Sequence, residues 1–201
     1  MSKRSEKPCW ASVKAQLDRG SPDSLVSLIA DLYRASADNR RFLHARFLGT
    51  EVEIATYRKL VEEAVYPDPF SRRPVRIGEA QRLVRQYRQA TDDIAGTIEL
   101  TLTLVEAGTE QAADLGYGDE RYFGALERAL DSVVKGLSQL GPDALDRAIA
   151  RLRRVAARAA AIGWGYGDYV QDLVAGVHEP AKEAAARSKA FQRKACKARR
   201  A

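Results

Sequence analysis

The stretch Ile94-Ala95-Gly96-Thr97-Ile98-Glu99-Leu100-Thr101-Leu102-Thr103-Leu104-Val105-Glu106-Ala107 decides the fold class of this chain. Thr97, Ile98, Thr101, Thr103 and Val105 are β-branched, and such side chains sit well on a pleated surface. Nowhere else in the 201 residues does a strand compete seriously with a helix. Two features favour helix here. The neighbours on both sides carry apolar residues at spacings of three and four. Asp92 and Asp93 stand where the positive end of a helix dipole attracts acids. With Thr91 or Asp92 as the cap and Ala107 as the end, the stretch is a helix, and the chain becomes all-α.

Working downstream, Gly108 ends this helix, a short helix over 110–114 follows, and Gly116-Tyr117-Gly118-Asp119 turns the chain. The strongest helical pattern comes next, over 120–140, with Tyr122, Phe123, Leu126, Leu130, Val133, Val134, Leu137 and Leu140 repeating at three and four. Gly141-Pro142-Asp143 ends it and starts another helix, to about residue 161, with Leu145, Ile149, Leu152, Val155 and Ala156 inward. Gly163-Trp164-Gly165-Tyr166-Gly167 is a second glycine-aromatic turn, before a last helix over 169–176.

Upstream, a helix over 78–90 turns Ala80, Leu83, Val84 and Tyr87 inward. Before it lies Tyr66-Pro67-Asp68-Pro69-Phe70-Ser71-Arg72-Arg73-Pro74, which no helix survives, because each proline lacks an N–H and disfavours helix in the residue before it. This segment is a candidate hinge over 66–76, with Phe70 as its anchor. Thr50 and Glu53 form a capping box for a helix bearing Val52, Ile54, Tyr57, Leu60, Val61 and Val65. A helix over 38–48 buries Phe42, Leu43, Phe47 and Leu48, and Gly49 stops it. Ser21 caps a helix with Pro22 at its first position, and its stripe of Leu25, Val26, Leu28, Ile29, Leu32 and Tyr33 faces a core. A short helix over 8–18 comes first.

Three two-helix units emerge, 22–36 with 38–48, 78–90 with 92–107, and 120–140 with 143–161, without a repeat of fixed period. They predict an all-α, multi-helix array of antiparallel helix pairs, an irregular α-solenoid or a bundle. Residues 1–9 form an N-terminal segment, 10–178 a single helical domain, and 179–201 a basic, frayed helical tail.

The net charge of +6 resides in that tail, and residues 1–178 are electrically balanced. A basic tail attracts polyanions, and a solvated terminus is the plainer reading of the same residues. Cys9 and Cys196 form no CxxC pair, which fits a reducing, cytoplasmic setting. No apolar run reaches the length of a membrane span, and no apolar segment follows the basic N-terminus as a secretory signal requires.

Chemistry is sparse. His44 and His178 stand alone, and no HExxH, EF-hand, P-loop or GxSxG pattern occurs. No catalytic residue, metal ligand or cofactor is assigned. The candidate polyanion contacts are Arg147, Arg151, Arg154 and Arg158, which fall within about 60° of one another on a helix, together with Lys189, Arg193, Lys194, Lys197, Arg199 and Arg200 of the tail. Acids on a neighbouring helix, such as Asp131 or Asp172, are the structural alternative to a phosphate backbone for the arginine row.

Leu25-Val26-Ser27-Leu28-Ile29-Ala30-Asp31-Leu32-Tyr33 with Asn39-Arg40-Arg41-Phe42-Leu43 resembles the opening of an uncharacterised bacterial all-helical family, a domain of unknown function. Tyr87 to Thr91, Leu104 to Thr109, and Gly116-Tyr117-Gly118-Asp119 with Tyr122-Phe123 and Leu126-Glu127 share the likeness, which spans about residues 10–140. The resemblance implies an all-helical fold and brings no activity with it. The expected role is a non-enzymatic, cytoplasmic protein-interaction or scaffold module whose partner is another protein. The alternatives are nucleic-acid association through the tail and arginine row, or an enzyme or small-molecule binder with an inter-helix pocket near Tyr117, Asp119, Tyr122 and Trp164.

Overall fold

A computed structural model describes residues 9–49, 51–163 and 165–177, and among these the fold is all-helical, with no strand. The chain divides into two compact units, 1–48 and 49–201. The first holds α1 (Trp10–Leu17), α2 (Pro22–Ala35) and α3 (Ala37–Phe47). The second holds α4 (Glu51–Val65), α5 (Ile77–Thr91), α6 (Ile94–Leu115), α7 (Glu120–Gly136), α8 (Pro142–Ala159) and α9, helical over 166–177. Short 3-10 turns lie at Pro69–Ser71 and Leu137–Gln139.

The second unit is organised around α6, which packs against α4, α5, α7 and α8. Every residue from Leu100 to Val105 is buried. This buried run carries no charged residue, while the acids of the same helix, Glu99, Glu106, Glu110 and Asp114, stay at its exposed or partly exposed positions. Its threonines fit because each hydroxyl donates back along the helix. Thr101 bonds the carbonyl of Thr97 at 2.7 Å, Thr103 that of Glu99 at 3.1 Å and Thr109 that of Val105 at 2.8 Å. The hydroxyls are thus satisfied without water, and a strand is not needed to accommodate the β-branched run.

Two expectations for this helix are corrected. Asp93 is the cap, its side chain accepting from the Gly96 N–H at 3.0 Å. Gly108 does not end the helix, which runs on through 110–114 to Leu115. Gly108 serves close approach instead: a Cβ there would lie 2.5 Å from Leu126 Cδ2, and its carbonyl accepts the Tyr122 hydroxyl at 2.9 Å. The helix stops at Gly116, in the left-handed conformation that glycine adopts without strain.

The proline segment lies inside the second unit. Phe70, expected to anchor it, is 93% exposed. Pro67 is the buried residue, Asp68 caps the turn by accepting from the Phe70 N–H at 2.9 Å, and the Arg76 N–H bonds the Ala64 carbonyl at 2.7 Å. That last bond satisfies a carbonyl left over at the end of α4, and α4 and α5 pack on each other.

The first unit differs. Ser21 caps α2 and Ser36 caps α3, as their spacing requires, and α2 packs on α3. The Tyr33 hydroxyl meets His44 Nε2 at 2.9 Å, and Asn39 Nδ2 donates to the Leu32 carbonyl at 2.8 Å. Yet Ala45 is the one buried residue described in these helices. The stripe of α2, expected to face a core, contains no buried residue. Phe47 and Leu48, also expected inside, are exposed, as is Val52 at the start of α4.

Candidate functional site

The arginine row is built by α8. Pro142 at its start, then alanine, leucine and arginine, are good helix material. Ala148, Leu152, Val155 and Ala159 form the buried face, and Arg147, Arg151, Arg154 and Arg158 run beside it. Opposite lies α6, which presents Glu99, Thr103, Glu106, Glu110 and Asp114 at steps of four, three, four and four. The two rows have nearly the same spacing, so they can engage like the teeth of a zip.

Arg151 is the centre of the engagement. Its Nε donates to Glu106 Oε1 at 2.8 Å and its Nη2 to Glu106 Oε2 at 2.6 Å, a bidentate pair, with further bonds to Thr103 Oγ1 at 3.0 Å and the Glu99 carbonyl at 3.4 Å. Arg158 donates to Glu110 at 2.6 Å and also to Asp114. Those carboxylates hold the Arg158 guanidinium above its already high ordinary pKa, the Glu110 hydrogen bond contributing most. Asp114 also accepts the Tyr66 hydroxyl at 2.9 Å, which ties α4 into the same network and raises the pKa of that phenol. Arg58 of α4 pairs with Glu99.

Half of the predicted row is therefore spent inside the protein. Arg151, with its side chain only 18% exposed, and Arg158 are neutralised by α6. Arg154 stands 71% exposed at 4.0 Å from Glu106, and Arg147 is exposed. The acids that offset the row are on α6, and not the suggested Asp131, which accepts the Tyr169 hydroxyl at 2.6 Å. The tail residues Lys189, Arg193, Lys194, Lys197, Arg199 and Arg200 lie outside the described residues, as do Thr50, Trp164, His178 and Cys196.

Beside Arg147 and Arg151 opens a cleft of about 480 Å³, walled by Ile54, Ile98 and Leu102 and edged by Glu51, Asp93 and Glu99. Tyr87 reaches into its wall, but its hydroxyl donates to Asp93 Oδ2 at 2.8 Å. Burial, and then that hydrogen bond, push the phenol far above its ordinary pKa, so it is a poor source of phenolate. Among the described residues, no group of three or more His, Cys, Asp or Glu side chains is placed to hold a metal ion. The Cys9 thiol is exposed, and its hydrogen bond with Ser12 at 3.3 Å lowers its pKa.

The glycine-aromatic region suggested as an alternative pocket is assembled for structure. Asp119 caps α7 by accepting from the Tyr122 N–H at 2.8 Å. Tyr122 is buried against Gly108, and Tyr117 stacks edge-on against it with ring centroids 5.2 Å apart. Tyr166 is wholly buried, 5.1 Å from the Phe123 ring centroid, and shares a hydrogen bond with Thr109 at 2.8 Å. A cleft of about 320 Å³ near Tyr117 contains one charged side chain, Arg158, already paired with α6.

The surface that residue-by-residue reading missed is on α2. At 100° per residue, Leu25, Val26, Leu28, Ile29, Leu32 and Tyr33 span an arc of about 160° that contains no charged residue. Val26 is 66% exposed and Leu32 48%, with Leu28, Ile29 and Tyr33 close to that. The stripe itself was visible in the sequence, but its being uncovered was not. No family model, characterised protein or solved structure matches the chain, and no described helix is long and apolar enough to cross a membrane.

Proposed function

We propose that this chain is a non-enzymatic helical module, built of antiparallel helix pairs, that works by binding another protein through the apolar face of α2. One observation carries the reading: an amphipathic helix with a charge-free arc and no buried residue. Exposed apolar surface of this kind, roughly 400 Å² from the α2 stripe, reaches the size that marks interaction sites on soluble domains. The two-residue connection Asp92-Asp93, of a length that joins back-folded helices, and the packing of α2 on α3 across Ser36 support this pairing. Kinship with the uncharacterised bacterial family, and a cytoplasmic setting, belong to the same proposal and rest on sequence alone.

Nucleic-acid association is the second reading, and the exposed Arg154 and Arg147, together with the basic composition of 179–201, favour it. Its weight is reduced by the engagement of Arg151 and Arg158 with α6, which leaves the row close to neutral. The test is affinity capture from lysate with and without nuclease, using the full chain, the chain lacking 179–201, and Ile29→Glu. A nuclease-resistant partner, kept without the tail and lost in Ile29→Glu, is the expected result. Capture that vanishes with nuclease or with the tail, and ignores Ile29, replaces the first reading with the second.

A further inference from the structure

We infer that the occupant of the α2 face is a second copy of this chain, with two α2–α3 helix pairs closing into one four-helix bundle. The inference rests on the reading of α2 as a docking face and names its partner.

The area fits. The exposed parts of the α2 stripe amount to roughly 400 Å² per chain, and Phe47 and Leu48 of the same unit bring the exposed surface of its large apolar residues to roughly 700 Å², the order of the ~800 Å² per partner of a standard interface. The need fits as well. A helix pair in which Ala45 is the one buried residue has little apolar burial to set against the cost of ordering its backbone. Two such pairs, face to face, acquire the interior that one lacks, and four-helix bundles are the ordinary outcome of that arrangement.

The chemistry of the face points the same way. A two-fold interface brings each patch onto its own copy, so a charge at its centre would meet its like and a charge elsewhere would need an opposite charge within the same patch. The arc holds none: Asp23, Asp31 and Arg34 all lie outside it, and Asp31 and Arg34 pair with each other at 3.0 Å. A polyanion finds no cation to bind on the arc. The sequence of the basic tail, mostly alanine and cations with Phe191 as its one large apolar residue, offers little for the face to bury.

Sedimentation equilibrium of the full chain from 1 to 100 µM tests this. The expected result is a monomer–dimer equilibrium, weakened at least tenfold by Ile29→Glu and by Leu32→Glu and less by Leu32→Ala. The variants should keep the helical circular dichroism of the dilute wild type, which separates lost pairing from lost folding. Phe70→Glu, a change to a still more exposed aromatic outside the face, should leave the equilibrium unmoved. A wild-type chain that is monomeric at 100 µM, or a dimer indifferent to both glutamates, overturns the inference. If the chain is monomeric but still captures a different protein in a manner abolished by Ile29→Glu, self-pairing falls and the docking face stands. If Ile29→Glu changes neither, both fall.

Discussion

Helices α2 and α6 are both rich in leucine, isoleucine and valine, and they meet opposite fates. Helix α6 is enclosed by four neighbours, with six consecutive residues out of water. Helix α2 has an orderly stripe, a side-chain cap from Ser21 at its start and nothing buried. An apolar stripe establishes that a helix has one face to cover, but it does not identify the cover. A run such as Leu100 to Val105, six residues covering every side of the helix without one charge, is more informative, because it has nowhere to be except inside.

The comparison can be broken by truncating one residue from each region. Leu126, fully buried against Gly108, should lose about 2–5 kcal/mol on Leu126→Ala through lost burial and the cavity left behind. Leu32→Ala in α2 should cost within about 0.5 kcal/mol in dilute solution, because the side chain is 48% exposed. Thermal or urea denaturation of both variants checks this, and equal losses would erase the contrast between the two regions.

Ion pairs sharpen it at the next level. Glu106→Ala removes both carboxylate oxygens from a half-buried Arg151, and should cost about 1–3 kcal/mol, since the guanidinium keeps only Thr103 and a backbone carbonyl. Asp31→Ala breaks a pair in α2 whose partners are each 74% exposed, and should change stability by less than about 0.5 kcal/mol. The same denaturation measurements decide between them.

Alkaline titration gives a more gradual effect. Burial pushes the Tyr166 phenol up to about 12 from its ordinary 10. A raised pKa means that the folded chain keeps a proton which the unfolded chain releases. Stability is therefore fully present below pH 10 and declines as pH rises from 10 to 12, by up to about 1.4 kcal/mol per pH unit for this group. Tyr87, Tyr122 and Tyr169 are raised in the same direction and add to the slope. Denaturation midpoints at pH 9, 10 and 11 check the sign, and Tyr166→Phe should flatten the decline.

Much of the architecture was legible. The Ser21 cap, the Gly116-Tyr117-Gly118-Asp119 turn, breaks at the prolines and Gly141-Pro142, and the three-four spacing of α7 place most helices to within a few residues, because local chemistry sets them. What local chemistry does not set was misread. Gly108 looks like a stop, but its missing side chain admits Leu126 and Tyr122 from another helix. Phe70 looks like an anchor only if something lies beneath it. The division between Leu48 and Gly49 passes through an ordinary helix stop, while the conspicuous prolines fall inside a unit. The arginine row was legible as a row, but its partners were not: Asp131 and Asp172 were the acids offered for it, and Glu99, Glu106, Glu110 and Asp114 hold it instead. Recognising them required knowing that α6 and α8 are neighbours.

Native-state hydrogen exchange, followed residue by residue at low and high chain concentration, tests the account most directly. It predicts that amides of 100–112 exchange only through global unfolding at either concentration, while those of 25–33 exchange far faster when dilute and become protected as concentration rises. Amides of α2 as slow as those of α6 in the dilute chain would show that the first unit holds itself together alone, and would contradict it.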